Sequence, residues 1–372
     1  MKMKKLLLAI CTALFIIATP LTAFEWGGLV TDSTGITTPD FSNIAFKQQN
    51  GISLWFNTTL GATDLFLSGE GSYKFKLVKP KDLDAQIINV LDVPLLKISG
   101  DILTGSGVLS LNAGRFSYLD ATGVIFRGTL DGAGVDFTMP LVKLGFVAGY
   151  TGLLNELNLN LSNINETPEK QFYDFSAATI PVGASVEFPG LFANQTLGLQ
   201  GYAVLDKDYF DASGYYFNLF LSGPITNFVY YNLVSSVGSM DSFKSIMNYS
   251  SLTVVAFPVE NISVNVGAEY GSAKGQGSLA TFAAPGYSYN GDIVPKFGFT
   301  FATSTMSLDL RANYILSYDG SGYTGTRADV NAGAVYNVFS DFQVGLNFVG
   351  QIDVTGGDNS SYSANLNVAL AF

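Results

Sequence analysis

The residues of this 372-residue chain with the most chemical capacity are charges that alternate with apolar neighbours. Glu70 and Lys74 stand in one such row, with Lys76 beyond them; Lys143, Glu187, Glu269 and Lys296 stand in others, and Asp309, Arg311 and Asp353 in the last third. Successive side chains of an extended backbone point to opposite faces, so each charge shares its face with small or polar residues. The same parity brings in Asp64, Asp136, Asp206 and Asp329. Acidic and basic side chains opposed across water set up a field that orients polar solutes and filters them by size and charge. For any one of these charges the plainer role, solvating a wide wet face, carries more weight. Histidine is absent, which removes the commonest general base and the commonest metal ligand. The expectation is therefore no enzyme, no metal and no cofactor. Asp206, Asp208 and Asp211 approach a calcium loop, but Phe210 stands where the pattern needs an acid and then glycine.

Short amphipathic strands must position these charges. Met306, Leu308, Leu310, Ala312, Tyr314, Leu316 and Tyr318 alternate with Ser307, Asp309, Arg311, Asn313 and Ser317. Leu65, Leu67, Tyr73, Phe75 and Leu77 alternate with Ser68, Glu70, Ser72, Lys74 and Lys76. A soluble sandwich would alternate as well. The distinguishing feature is tyrosine on the apolar face near the strand ends, at Tyr73, Tyr270, Tyr314, Tyr318 and Tyr336, as an interfacial girdle requires. Tight links are expected at 61–63, 105–106, 140, 223–224, 258–261, 302–305 and 339–341. Longer polar links are expected at 32–50, 79–92, 153–177, 207–212, 273–290, 319–326 and 355–362. Counting back from Phe372 puts every tight link on one side, and an even count of about 18 strands, with 16 as the alternative, closes the sheet on itself.

Mean hydropathy is +0.29 and only 13% of residues are charged, against about 25% in soluble domains. No stretch beyond the N-terminus approaches the ~18 apolar residues of a helical span. Lys2, Lys4 and Lys5 precede an apolar run from Leu6 to Ala18, with Thr22 and Ala23 small at its end. This predicts an export signal over 1–23, cleaved after about Ala23, and one barrel domain over 24–372. Cys11 lies in that leader, so no disulfide staples the rest. Without the leader lysines, 16 basic face 30 acidic side chains, a net charge of −14, which argues against nucleic acid as partner.

The last strand ends Leu366, Val368, Leu370, Phe372 on one face. It resembles the C-terminal assembly signal of bacterial outer-membrane β-barrels, and the whole pattern resembles the porins. The resemblance implies an all-β, antiparallel up-and-down transmembrane barrel in the bacterial outer membrane. Its partners would be the lipid bilayer, the barrel-assembly machinery and small solutes, with room for a homotrimer. The passage 114–137 resembles the GR…DG stretch of some substrate-selective porins, alginate-export channels among them. Arg115 would face lipid by strict parity with Leu109 and Leu111, at ~2–4 kcal/mol near mid-bilayer. A bulge at Ala113-Gly114 is expected to return it to the lumen, where Arg115 and Arg127 could meet a solute or anchor a loop. The reading is a channel for passive diffusion of small hydrophilic solutes, narrowed by an inward loop at 153–177, whose acidic surplus disfavours anions. One alternative is a channel selective for sugars or hydrophobic compounds, with Phe66, Tyr202, Phe220 and Tyr231 inward. The other is a surface adhesin or structural barrel acting through its loops.

Overall fold

The computed structural model describes residues 24–39, 43–61, 63–81, 84–150, 179–206, 213–239, 246–272, 291–319, 322–355 and 360–372. The expected signal segment 1–23 and the links at 153–177, 207–212 and 273–290 lie outside the described residues. The strands are β1 Phe24–Thr38, β2 Ala45–Thr59, β3 Leu65–Lys79, β4 Gln86–Thr104, β5 Gly107–Leu119 and β6 Arg127–Thr138. They continue as β7 Lys143–Tyr150, β8 Thr179–Phe192, β9 Gln195–Asp206, β10 Gly214–Thr226, β11 Val229–Ser239 and β12 Met247–Val259. The last are β13 Ile262–Gly271, β14 Asp292–Ala302, β15 Met306–Asp319, β16 Gly322–Asn337, β17 Phe342–Asp353 and β18 Ser361–Ala371. Each pairs antiparallel with its sequence neighbours, and β1 pairs with both β2 and β18, so the 18-stranded sheet closes. A closed sheet leaves no unpaired edge, the condition for crossing hydrocarbon with strands.

The seam is a reciprocal backbone pair. Gly28 N donates to the Phe372 carbonyl at 2.9 Å, and Phe372 N donates to the Gly28 carbonyl at 3.0 Å. Gly28 also leaves room for the Phe372 ring, since a Cβ there would fall 2.4 Å from the ring. Outside the seam the wall presents large apolar side chains, Leu346, Leu366, Leu370 and Phe372 among them. Tyr73, Tyr270, Tyr314, Tyr318 and Tyr336 are exposed on that same outer face.

Several expected links are shifted. The stretch read as a loop at 32–50 is mostly strand, because β1 runs to Thr38 and β2 begins at Ala45. Gly223-Pro224 lies inside β10, whose register slips only between Pro224 and Thr226, and the turn falls just after it. A tight turn at Ala193-Asn194, both with positive φ, was not anticipated. The register runs unbroken from Val108↔Thr138 to Leu119↔Arg127, so β5 has no bulge at Ala113-Gly114 that changes facing. Gly114 does take φ +114, a local distortion without a slip. The extra residue sits one strand earlier: Glu70 pairs Leu95 and Ser72 pairs Asp92, so Val93-Pro94 together oppose Gly71. Proline suits a bulge because it has no N–H to donate to the ladder.

Replacing Phe372 by Ser should lower the yield of folded barrel several-fold, seen as loss of the heat-modifiable fast band on a gel. Gly28→Leu, which drives a side chain into the same ring, should do likewise.

Candidate solute pathway

The inner face can be assigned from one contact. The loop 120–126 leaves β5 and reaches β10, five strands on, where Asn218 Nδ2 donates to Asp120 Oδ2 at 3.2 Å. Only the concave side of a closed sheet allows that reach. The face bearing Gln200, Asn218 and Tyr202 is therefore inside, and the paired registers carry this assignment around the barrel.

Asp120 organises the loop. Its carboxylate accepts from the Thr122 N–H at 3.0 Å, the Thr122 hydroxyl at 2.7 Å and the Phe126 N–H at 3.1 Å. The Thr122 hydroxyl in turn accepts from the N–H groups of Val124 and Ile125, each at 3.1 Å. Gln200 ties the loop to the wall. Its Oε1 accepts from the Ala121 N–H and from Asn218 Nδ2, both at 2.9 Å, and its Nε2 donates to the Tyr118 hydroxyl at 2.9 Å. Beneath this network Ile125 and Phe126, each 1% exposed, pack among Tyr202, Tyr216, Met247 and Tyr249. Burying such a side chain contributes roughly 1.5–3 kcal/mol. The Tyr118 and Tyr202 rings stack with centroids 6.0 Å apart. Burial raises the Asp120 carboxyl pKa, and the donors from Phe126 and Thr122 pull it the other way.

Beside the loop lies a cavity of about 620 Å³, lined by Lys97, Lys143, Asp136, Glu187, Phe116 and Phe220 among others. Lys143 Nζ stands between two carboxylates, 3.7 Å from Asp136 and 3.8 Å from Glu187. Further round the wall Lys296 pairs with Glu269, Arg311 pairs with Asp309 at 2.8 Å, and Arg327 pairs with Asp329 at 2.9 Å. Asp353 lies opposite Arg327 across the β16–β17 ladder. Glu70 and Lys74 share the inner parity of β3. Half-exposed pairs of this kind add little stability, but they fix where positive and negative charge stand.

The pattern-based assignments fare unevenly. The register places Glu70, Lys74, Lys143, Glu187, Glu269, Lys296, Asp309, Arg311 and Asp353 on the inner face. Arg115 is a correction. Its register keeps it on the outer parity of Leu109 and Leu111, because no bulge intervenes. It is 8% exposed and grips Asp131 through Nε and Nη2, each at 2.8 Å, while Nη1 donates to the Val93 carbonyl at 3.2 Å. Phe116 and Tyr118, expected toward lipid, turn inward beneath the loop. Tyr231 pairs with Gly223 on the outer parity, so it does not join Tyr202 and Phe220 inside. The Arg127 side chain lies outside the described residues. The loop at 120–126 and its partners Gln200 and Asn218 were missed, although Asp120 followed by Thr122 is a turn-forming pair.

No protein-family model matches the chain, and no curated protein matches it in sequence. Solved structures do match its fold, and all of those that follow come from Pseudomonas aeruginosa. OpdK, solved with vanillate, superimposes with a TM-score of 0.64 at 13% identity, covering 95% of this chain and 99% of that one. OccK7 (OpdD) gives 0.63 at 10% identity, over 94% and 99% of the two chains. The outer membrane protein OprD gives 0.58 at 12% identity, over 94% and 93%. The chain thus shares the closed β-barrel fold of these proteins.

Asp120→Ala should unseat the loop, since each buried donor left unpaired costs about 1–3 kcal/mol. Noisier and larger single-channel currents than wild type are expected. Because the seated Asp120 pKa is raised, protonation does not oppose seating. Acidification should therefore leave wild-type current unchanged, and any loosening should come as pH rises through the raised pKa.

Proposed function

We propose that this chain is an outer-membrane channel through which small hydrophilic solutes diffuse passively. The observation that carries the reading is the combination of a closed barrel with a wet, charge-paired inner face and a short loop seated across it. Backbone groups satisfied strand to strand leave the interior free to hold water. The loop 120–126 narrows that interior, and the paired charges beyond it filter what passes. In this reading the leader 1–23 directs export and is removed after about Ala23. The strand ending Leu366, Val368, Leu370 and Phe372 is offered to the barrel-assembly machinery. The acidic surplus of the mature chain disfavours anions.

A selective channel is the second reading, favoured by the cavity beside the loop. There Lys97 and Lys143 lie near Phe116 and Phe220, a lining that suits a solute with an anionic group and an apolar body. OpdK, a structural neighbour, was solved with vanillate.

Planar-bilayer recordings of the purified mature chain separate the two. General diffusion predicts steady current, a reversal potential favouring cations, and no block by candidate solutes. Saturable block by one solute class would replace it with the selective channel, and absence of any conductance would sink both. Lys143→Gln should raise cation preference by roughly twofold, the scale of one partly screened charge.

A further inference from the structure

One sector of the inner wall is neutral. The inward rows of β17 from Gln343 to Gln351 and of β18 from Ser361 to Ala371 hold no charged side chain. They hold carboxamides instead, at Gln343, Asn347, Asn365 and Asn367, and the register sets Asn331 of β16 beside them. Charges resume on either side, at Arg327 and Asp329 on β16 and at Lys47 on β2. Among the described residues, the carboxamides of Gln343, Asn347, Asn365 and Asn367 make no hydrogen bond to another side chain. Their donors and acceptors face the lumen uncommitted.

The same sector is indented. A recess of about 290 Å³ opens over Gly333 and Gly345, walled by Gln343, Asn347 and Asn367 with Val335 and Ala369 beside them. Glycine inside a strand marks a place where a ligand or another backbone comes close. Gly333 answers no demand of the fold for a missing side chain. It takes no positive φ, and a Cβ there would meet nothing nearer than Asn347 Oδ1 at 3.6 Å. The recess lies at the small end of ligand pockets, ~300–1,000 Å³, so it suits a single small ring.

We infer that this recess is a subsite for a neutral polyhydroxylated solute of single-ring size, held by Gln343, Asn347 and Asn367 over the bare backbone of Gly333 and Gly345. The inference deepens the diffusion-channel reading and rests on it. A hydroxyl both donates and accepts, and a carboxamide offers two donors and an acceptor in one uncharged group, so the two match in kind. An ion gains little here, because no fixed charge offsets the loss of its hydration, whereas the charged walls on either side supply one. Uncharged hydrogen bonds exchanged against water are individually weak. A solute so held dwells and then leaves, as conduction requires.

The test is block of ionic current by glucose, recorded in KCl with the purified mature chain in planar bilayers. Glucose should interrupt the open-channel current saturably. Tetrahydropyran-2-methanol, which keeps the ring and lacks the ring hydroxyls, should do so roughly tenfold less readily, the scale of a few lost uncharged hydrogen bonds. The double variant Asn347→Leu, Asn367→Leu should raise the half-blocking glucose concentration by roughly fivefold on the same ground. Gly333→Val, which fills the floor of the recess, should shift it in the same direction. Steady current without glucose block, equal interruption by the two rings, or block unchanged in the double variant overturns the inference. So does an equal shift from Lys143→Gln, since the solute would then sit beside the loop 120–126. The comparison of the two rings on wild type needs no variant to fold. Absence of any ionic current would instead count against the channel reading itself.

Discussion

The constraint on which everything else depends is that the backbone of every strand must find its hydrogen bonds within the sheet. With hydrocarbon against one face, an unpaired N–H or C=O has no water to turn to. That condition forces β1 onto β18, and the mutual bonds of Gly28 with Phe372 are where the circle is completed. Once the sheet is closed, the period-two side-chain rule divides every strand between two solvents. The apolar set faces out and most of the charged set is gathered around one lumen, with Asp32, Arg115 and Asp131 among the exceptions on the outer parity.

Closure alone would leave a wide aqueous hole, and the short loop after β5 changes that. It is anchored twice, by an apolar wedge of Ile125 and Phe126 and by the shared acceptors of Asp120 and Gln200. The two anchors reinforce each other. The wedge excludes water from the polar network, and the network satisfies backbone groups that the wedge would otherwise bury unpaired. The result is a local packed core inside the barrel, while most of the rest of the described inner face carries polar and half-exposed charged residues, with Val234, Val294 and Ile315 buried apart from it. Here the mixed cavity with Lys143 between two carboxylates is formed.

Where the alternation is strict the sequence was legible. β15 shows this best, with Leu308 and Leu310 out and Asp309 and Arg311 in, and the strand count of 18 followed from such rows. The failures have physical causes. Asp32, Thr34, Gln48 and Asn50 put polar side chains on the outer face, so the upper halves of β1 and β2 read as a loop. Gly223-Pro224 carries a turn signal that the pairing of β10 with β11 overrides. Phe116 and Tyr118 looked lipid-facing because their apolar surface is in fact covered by a loop inside, which periodicity does not register. Arg115 was moved inward to avoid the cost of a lipid-facing charge, whereas the chain answers that cost with a bidentate partner in Asp131. The phase change does exist, but at Val93-Pro94, where a proline in a strand was the available signal.

The most direct test is the wetness of alternate residues along one strand. Beyond Cys11 the chain has no cysteine, so single cysteines can be introduced at each position from Ser307 to Ala312 in β15 and assayed in proteoliposomes. A small water-soluble thiol reagent should label positions 307, 309 and 311, while positions 308, 310 and 312 stay unlabelled and are reached by a lipid-soluble quencher. Labelling without alternation, or water access to both sets, would contradict the two-solvent wall.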